Sequence, residues 1–394
     1  MKVRLTAVTP LHIGGREGAL NPLEFVLFEG RCHIISEGKL VTALQQTGKI
    51  DIFCNWVTGR SRPSLRDFLR DQTLLNRAFL ERVSAYSAPA PPRVDGLVRP
   101  FVRDAFNRPF LPGSGIKGAI RTAFFYKLLK GLSPEQRKRL LDDFVSARLQ
   151  EYRRDPRSQR GLRWFQDRVK QRFAQQLDAD FFQQFILREG QQRFDPHTDF
   201  FRCLRVTDSA ALALGAARVE EIKIWSARSQ DSPKRWSLYA ECLPEKSAVE
   251  FDISVDEGLL AEFARHNPRT RFGLEFANLA ELLRNPLDVW AEMGRDLWER
   301  EAQFFSRELR LSGVLPERKN RPQIRVGWGA GLLGTSVDML LPDTLLQDIR
   351  NTFFTERGPA PAPKSRRLVI AGNNRMAPLG WATVEQVHED EESP

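Results

Sequence analysis

The sequence predicts an α+β protein with two tandem domains, and three observations lead to this prediction. Its 394 residues suit roughly two to three domains. Its hydrophobic content of 41% is sufficient for sizeable cores. Its predicted strands cluster instead of alternating strictly with helices, and each half combines strands, a helix and a glycine-rich loop. We therefore predict two domains of ferredoxin or RRM type, at residues 1–195 and 196–394, in preference to a doubly wound parallel sheet.

The first half begins with a predicted strand over residues 2–8, where side chains alternate between apolar and polar. Pro10 and the Gly14-Gly15 pair end this strand. The same patterns predict the elements that follow: strands at 23–28 and 32–35, a helix at 64–83, a strand at 96–103, and a helix from about 116 to 130 that Gly131 ends.

A basic segment follows at residues 130–172. It holds 13 Lys and Arg against 6 Asp and Glu, a balance of +7 in a chain whose net charge is +10. We predict that it belongs to a helical insertion over about 130–190 that faces RNA or protein. The alternative is a solvated helical face with i,i+4 ion pairs.

The second half is predicted to be rich in strands, with one long helix. A flexible Pro/Ala linker is expected at 358–363, and an acidic, frayed tail at 388–392. The predicted elements are strands at 200–206, 221–226, 236–242 and 248–255, a helix at 287–309 and a strand at 324–326.

Charge and cysteine usage restrict the function class. A net charge of +10 and a pI of about 9.7 favour anionic partners, with nucleic acid first and an acidic membrane surface second. The four cysteines form no CxxC pair, which indicates a reducing compartment. The start of the chain does not resemble a signal peptide, and no apolar run is long enough to cross a membrane. We expect a soluble cytoplasmic protein without membrane partners.

The first glycine-rich loop is Gly113-Ser114-Gly115, which opens a helix. Glycines allow close backbone approach, and the N-terminal amides of a helix can bind phosphate. Lys117 and Arg121 lie four residues apart and share one helix face, so both can touch the same anion. We predict a phosphate cradle that binds RNA; the alternative is a tight turn followed by a surface helix.

The second glycine-rich loop follows the strand at 324–326 and holds Gly327, Gly329 and Gly331. We predict that this loop also contacts RNA, together with Arg325 and Trp328. Packing in a core or an interface is the alternative for Trp328. Both loops contain GxGxxG, but neither has the surroundings of a dinucleotide site, so we predict no cofactor.

Candidate catalytic residues are few. The five histidines are scattered without metal-ligand spacing, and we predict no metal site. His12, beside Gly14 in the first turn, could contact RNA or act as a general base, or be an ordinary loop histidine. Asp195, Asp199 and Asp208 flank the strand at 200–206. One of them could serve acid–base or metal-assisted RNA cleavage, although capping is the simpler interpretation. We predict no catalytic residue.

Four segments, in order along the chain, resemble motifs of the RAMP proteins (repeat-associated mysterious proteins) of CRISPR systems. Thr9–Gly15 is similar to their opening TPLHIG, and Pro112–Arg121 to their PGSSLKGALR element. The other two, similar to the C-terminal glycine-rich loop and the closing strands, are Gly327–Leu333 and Arg366–Val369 with Pro378–Trp381. The length and the pair of loops most resemble the fifth-subunit family of type III-A Csm complexes.

This resemblance implies tandem RRM-like domains in a non-catalytic subunit that binds guide RNA (crRNA) for antiviral defence. It implies a place at the 3′ side of the guide, where the subunit caps the backbone filament and touches the repeating backbone RAMP subunit. Assistance in guide maturation is implied too, with host 3′ exonucleases and a small helical subunit as further partners. The alternatives are a RAMP-type metal-independent endoribonuclease that uses His12 as base and Lys117 as charge stabiliser, and a nucleotide-dependent enzyme.

Overall fold

The computed structural model describes residues 1–15, 18–159, 168, 175–191, 193–227, 232–270, 273–315, 323–353, 360–370 and 376–388. Helices and strands both occur throughout these residues, as an α+β class predicts. Part of the predicted basic insertion (160–167 and 169–174), the start of the predicted linker and the acidic tail from 389 onward lie outside the described residues.

The strands that the structure describes fall into three sheets. They are β1 Lys2–Ala7, β2 Phe25–Phe28, β3 Arg31–Ile35, β4 Ser84–Pro89, β5 Val98–Arg99, β6 Leu204–Val206, β7 Arg218–Ser226, β8 Leu238–Cys242, β9 Ala248–Val255, β10 Gln323–Arg325, β11 Ser365–Ile370, β12 Met376–Pro378 and β13 Trp381–Gln386.

The α-helices cover the sheets. They are α1 Glu37–Gln46, α2 Ile50–Thr58, α3 Leu65–Asp71, α4 Arg77–Val83, α5 Gly113–Gly131, α6 Pro134–Arg137, α7 Asp143–Arg154, α8 Pro156–Gln159, α9 Glu257–His266, α10 Phe276–Arg284, α11 Pro286–Gln303, α12 Gly331–Thr335 and α13 Asp343–Phe353; residues 175–182 are also helical. Shorter 3-10 or π turns lie at Lys138–Asp142, Pro196–Thr198, Phe200–Cys203, Phe304–Glu308, Trp328–Ala330 and Asp338–Leu340.

The first sheet has the order β10-β13-β1-β9-β6, and every neighbouring pair is antiparallel. Alternate residues of β1, namely Val3, Leu5 and Ala7, are buried because successive strand side chains point to opposite faces. They join the main core, to which α5 and α11 also contribute. Strands from both sides of residue 195 therefore share one sheet. The boundary between 195 and 196 stays a prediction.

The second sheet has the order β12-β11-β7-β8-β5, and its edge strand β5 runs parallel to β8. The third sheet, β2-β3-β4, packs with α1–α4 around a separate small core that includes Leu44, Phe68 and Leu80. Helices α1 and α2 are not predicted from the sequence.

Several predicted elements are shorter than expected: the strand at 96–103 is reduced to β5, and two others have a clear local cause. The helix at 64–83 is split into α3 and α4, because Thr73 has a positive φ of 56° and the Asn76 side chain caps the second helix. The strand at 200–206 is reduced to β6, because the Asp199 carboxylate accepts the Phe201 N–H and starts a 3-10 turn instead. Among the described helices, none has the length and apolar character that a membrane span requires.

Candidate nucleic-acid interface

His12 lies inside the protein, in the turn that follows β1, with 2% of its surface exposed. Its Nδ1 lies 2.7 Å from the backbone oxygen of Glu241 on β8. A carbonyl can only accept, so Nδ1 carries the proton and Nε2 does not. Burial lowers the pKa of His12 to about 4. The imidazole is therefore neutral near pH 7, and its edge contacts Phe101 and Trp328.

The second glycine-rich loop packs directly on this turn. The backbone N–H of Trp328 donates to the His12 carbonyl at 2.9 Å. Gly327 has a φ of +81°, and a Cβ on it would lie 2.2 Å from the same carbonyl oxygen. Glycine is required at this position for a close approach of backbone to backbone. The structure thus brings His12, Gly14, Gly327, Trp328 and Gly329 into one region, and their contact with RNA stays a prediction.

The indole of Trp328 is half-buried and has a guanidinium group on it from each of two strands. Arg367 of β11 lies 4.3 Å from the ring centroid, and Arg99 of β5 lies 4.7 Å from it. These strands are separated by β7 and β8 in the second sheet, so the two arginines reach the indole from strands that are not neighbours. We call His12, Arg99, Trp328 and Arg367 the Trp328 site.

Neither arginine of the Trp328 site has a carboxylate partner within the described part of the chain. Burial, and then the charge of Arg99, lower the pKa of the Arg367 guanidinium. Arg99 is exposed and Arg367 is half-buried. The buried side chains of Arg103 and Arg366, in contrast, pair with Glu241 and Glu301. Two close cations without an acid form a natural site for an anion such as phosphate.

The sequence analysis did not single out Arg99 or Arg367 as binding residues. Arg366 and Arg367 were noticed only as part of a closing strand. Because strand side chains alternate, one of these two neighbours enters the interior and the other reaches Trp328 on the opposite face. The alternation of side chains along the strand is therefore the sequence signal that could have separated Arg367 from Arg366.

Arg325 differs from its predicted role. Its guanidinium lies inside the protein, 2.8 Å from the Glu301 carboxylate, and also donates to the backbone oxygens of Leu379 and Gly329. All three of these partners are protein groups, so the Arg325 side chain stabilises the conformation of the loop from inside the protein instead of facing an RNA. Glu301 also binds Arg366, and thereby joins α11 to both large sheets.

The first glycine-rich loop lies elsewhere, against the end of β6. The Gly113 N–H donates to Asp208 at 2.7 Å, and a Cβ on Gly113 would meet the backbone of Val206 and Thr207. Ser114 and Gly115 are exposed at the start of α5. A helix N-terminus is thus present here, as predicted.

The expected cradle of Lys117 and Arg121 is corrected by the structure. Arg121 donates to both carboxylate oxygens of Asp178, at 2.9 and 2.7 Å, and to Asp199, and lies on the Phe182 ring. An arginine held by two carboxylates is not available to a phosphate. Lys117 is partly buried, and burial lowers its pKa.

The three candidate acids act as caps. Asp195 accepts the His197 N–H, Asp199 accepts the Phe201 N–H, and Asp208 accepts the Gly113 N–H. Across the ranges given above, no cluster of three or more His, Cys, Asp or Glu side chains is arranged to hold a metal ion.

Comparison with known proteins relates this chain to one superfamily. Residues 4–311 match the RAMP superfamily. The chain is 30% identical to the CRISPR-system protein Csm5 of Methanocaldococcus jannaschii over an alignment of 410 residues, which covers 97% of this chain and 88% of the relative. It is 23% identical to Csm5 of Streptococcus thermophilus over 266 residues, which covers 64% of this chain and only 63% of that relative.

Two solved structures share the fold. One is a cryo-EM structure of a Csm–crRNA–target RNA ternary complex of a type III-A CRISPR-Cas system, with a TM-score of 0.68, 20% identity, and coverage of 98% of this chain and 100% of that chain. The other is the crystal structure of T. onnurineus Csm5, with a TM-score of 0.63, 19% identity, and coverage of 96% and 99%. The chain therefore belongs to the RAMP superfamily and, within it, to the Csm5 family.

Proposed function

We propose that this chain is a non-catalytic crRNA-binding subunit of a type III-A Csm complex, and that the Trp328 site grips the RNA backbone. One observation carries the proposal: two arginines from distant strands meet on one tryptophan, with no carboxylate to neutralise them among the described residues. A pair of guanidiniums suits a phosphate, because their planar forks match its oxygens.

Binding of this kind does not read bases. Both guanidiniums lie on the indole, which leaves Trp328 as a support for them and not as a free stacking platform. Phosphate contacts position an RNA without carrying sequence information. A subunit that holds guides of many sequences requires this tolerance.

We further propose that the subunit caps the backbone filament at the 3′ side of the guide, touches the repeating backbone RAMP subunit and assists guide maturation. Membership of the Csm5 family supports this position. So does the fold shared with a chain of a Csm–crRNA–target RNA ternary complex. The small helical subunit and host 3′ exonucleases are further proposed partners.

The sheet order supports the proposal that RRM-like units form the fold. In the first sheet, β13-β1-β9-β6 is the order fourth-first-third-second, with α5 between β1 and β6 and helices α9–α11 between β9 and β13. This is the βαββαβ arrangement of ferredoxin-like folds. We propose that the second sheet is the core of the other unit, and that α6–α8 begin the basic insertion.

Expression of the whole complex with a tag on this chain tests the proposal. We expect the purified material to contain crRNA and the other Csm subunits. Deletion of this chain alone is expected to leave guides whose 3′ ends are heterogeneous or longer, as sequencing of the bound RNA will show. Recovery of the tagged chain without RNA or partners would contradict the proposal.

A further inference from the structure

A cavity of about 950 Å³ opens between several parts of the fold. Its walls come from α5, from α7 and the turn before it, from the helical residues 175–178, from residues 332–341, from α13 and from residues 362–365, with Lys234 beside them. Ligand pockets in proteins typically measure roughly 300–1,000 Å³ and are mostly apolar. This cavity meets both criteria, with apolar lining residues that include Phe125, Leu149, Leu341, Leu346, Ile349 and Phe353.

Two carboxylic acids, Asp178 and Asp338, interrupt the apolar lining, and Asp178 is paired with Arg121. Asp338 lines the cavity and is only partly exposed. Burial raises its pKa to about 6, and the Ser336 hydroxyl offsets this effect only in part. No Lys, Arg or His forms an ion pair with Asp338 in the region that the structure describes. A carboxylate at such a position is costly for the protein unless a partner neutralises it.

The other charged residues of the lining do not supply that partner. Arg121 is held by Asp178 and Asp199, and Arg350 donates to the backbone oxygens of Ala360 and Pro361. Lys234 lies over the Trp236 ring, 5.5 Å from its centroid. Lys364 also lines the cavity. The cavity therefore combines an apolar interior with one carboxylate that is open to a ligand.

We propose that this cavity binds a small apolar ligand that carries a positively charged amine or guanidinium group, with Asp338 as its ion-pair partner. The apolar walls supply most of the affinity through burial of the ligand's hydrocarbon. Asp338 supplies the selectivity for a cation. This inference does not depend on RNA binding, since none of the four residues of the Trp328 site lines the cavity.

Three probes with the same naphthyl body and different head groups test the proposal on the purified full chain by isothermal titration calorimetry. They are 2-(1-naphthyl)ethylamine, 2-(1-naphthyl)ethanol and 1-naphthaleneacetate. At pH 7.5 we expect the amine to bind at least about tenfold more tightly than the alcohol, and the acetate to bind most weakly, since a close charge pair is favourable and a like-charge pair is not.

The Asp338→Asn variant keeps the size of the side chain and removes its charge. We expect it to lower the amine's affinity to that of the alcohol and to leave the alcohol's affinity unchanged. Between pH 7.5 and 5 the wild-type affinity for the amine should fall by up to about tenfold, because Asp338 becomes protonated. The Asp338→Asn variant should not show this pH dependence of amine affinity. It keeps the other charged residues of the lining, so the dependence can be assigned to Asp338; these residues are Arg121, Asp178, Lys234, Arg350 and Lys364.

A second variant, Ile349→Trp, places a bulky side chain in the cavity wall and is expected to abolish binding of all three probes while the chain still unfolds cooperatively. Equal affinity for the amine and the alcohol, or an unchanged amine affinity in Asp338→Asn, would overturn the role of Asp338. Failure of the amine to bind the wild-type chain at all would overturn the proposal as a whole.

Discussion

The backbone N–H of Trp328 donates a hydrogen bond to the carbonyl oxygen of His12 at 2.9 Å. This bond joins the turn after the first strand to a loop near the other end of the chain. Because of it, the indole of Trp328 lies where Arg99 and Arg367 can both reach it. The geometry of the Trp328 site thus depends on the packing of two backbone segments, and substitutions in that packing should affect the site.

Gly327→Ala tests this packing. At φ 81° and ψ −175°, Gly327 has a conformation that is nearly exclusive to glycine, and the new Cβ would also meet the His12 carbonyl oxygen at 2.2 Å. Gly331 has the same conformation, but nothing lies within 4 Å of its Cβ position. In chemical denaturation we expect Gly331→Ala to lower the free energy of unfolding by about 1–3 kcal/mol, because the new side chain strains the backbone.

Gly327→Ala should cost at least about 2 kcal/mol more than this control, since the clash adds to the strain. It should also change the fluorescence of Trp328. Equal losses in the two variants would show that the close contact with His12 does not exist in solution.

Glu301→Gln tests the support beneath the loop. The Glu301 side chain is 1% exposed and neutralises Arg325 and Arg366, which are 2% and 7% exposed. Loss of a buried counter-charge leaves unpaired cations, so the free energy of unfolding should fall by about 3–5 kcal/mol. The control Glu257→Gln removes an exposed partner of Arg284 and should lower the free energy of unfolding far less, because solvent screens an exposed ion pair. A loss as small as the control's would contradict the buried triad.

His12 makes stability depend on pH. Burial lowers its pKa to about 4, below the ordinary value of 6.5. Between these values the unfolded chain binds the proton and the folded chain does not, so the free energy of unfolding rises with pH. As the pH falls from about 6.5 to 4, protonation of His12 alone should lower the free energy of unfolding by up to about 3 kcal/mol.

His12→Asn keeps a donor for the Glu241 carbonyl but cannot titrate. Denaturation curves at several pH values should therefore show a smaller loss on acidification in this variant than in the wild type. Subtraction of the two profiles removes the contributions of His33 and Asp338, whose pKa values are also shifted. Identical profiles would contradict the burial of a neutral His12.

A cleavage assay on repeat RNA distinguishes the binding subunit from the endoribonuclease alternative. His12 is almost wholly buried and its Nδ1 is engaged by Glu241, which suits a structural role. We expect no specific cutting by the purified chain in the presence of a chelator, and none in a His12→Ala variant. Specific cleavage by the wild type that disappears in the variant would establish the alternative.

The sequence predicted individual elements better than it predicted contacts between them. Strand β9 was predicted to the residue, because its side chains alternate regularly. Helices α1 and α2 were not predicted: both are short, α1 buries only Leu40, Ala43 and Leu44, and α2 buries no residue fully. The break between α3 and α4 depends on the positive φ of Thr73, which cannot be predicted from the residue type.

For the candidate site, His12 and Trp328 were both named from their motifs, but nothing in a single sequence shows that they touch. The acidic partners of Arg121 and Arg325 are distant in sequence. A single sequence therefore could not show that both side chains form ion pairs within the chain. Conversely, Arg99 and Arg367 could not be separated from the other 58 basic residues, because what distinguishes them is their contact with the same indole, that of Trp328.

The most direct test of the account uses a double variant that carries both Arg99→Ala and Arg367→Ala. Its binding to a labelled single-stranded guide RNA is compared with that of the wild type between about 50 and 300 mM salt. The control double variant, Arg77→Ala with Arg265→Ala, removes the same charge from two exposed helices. We predict that the first variant loses about 0.7 from the magnitude of the slope of log K against log salt, as the loss of one neutralised phosphate requires, and that the control keeps the wild-type slope. Equal slopes in all three proteins would contradict the assignment of the Trp328 site to the RNA backbone.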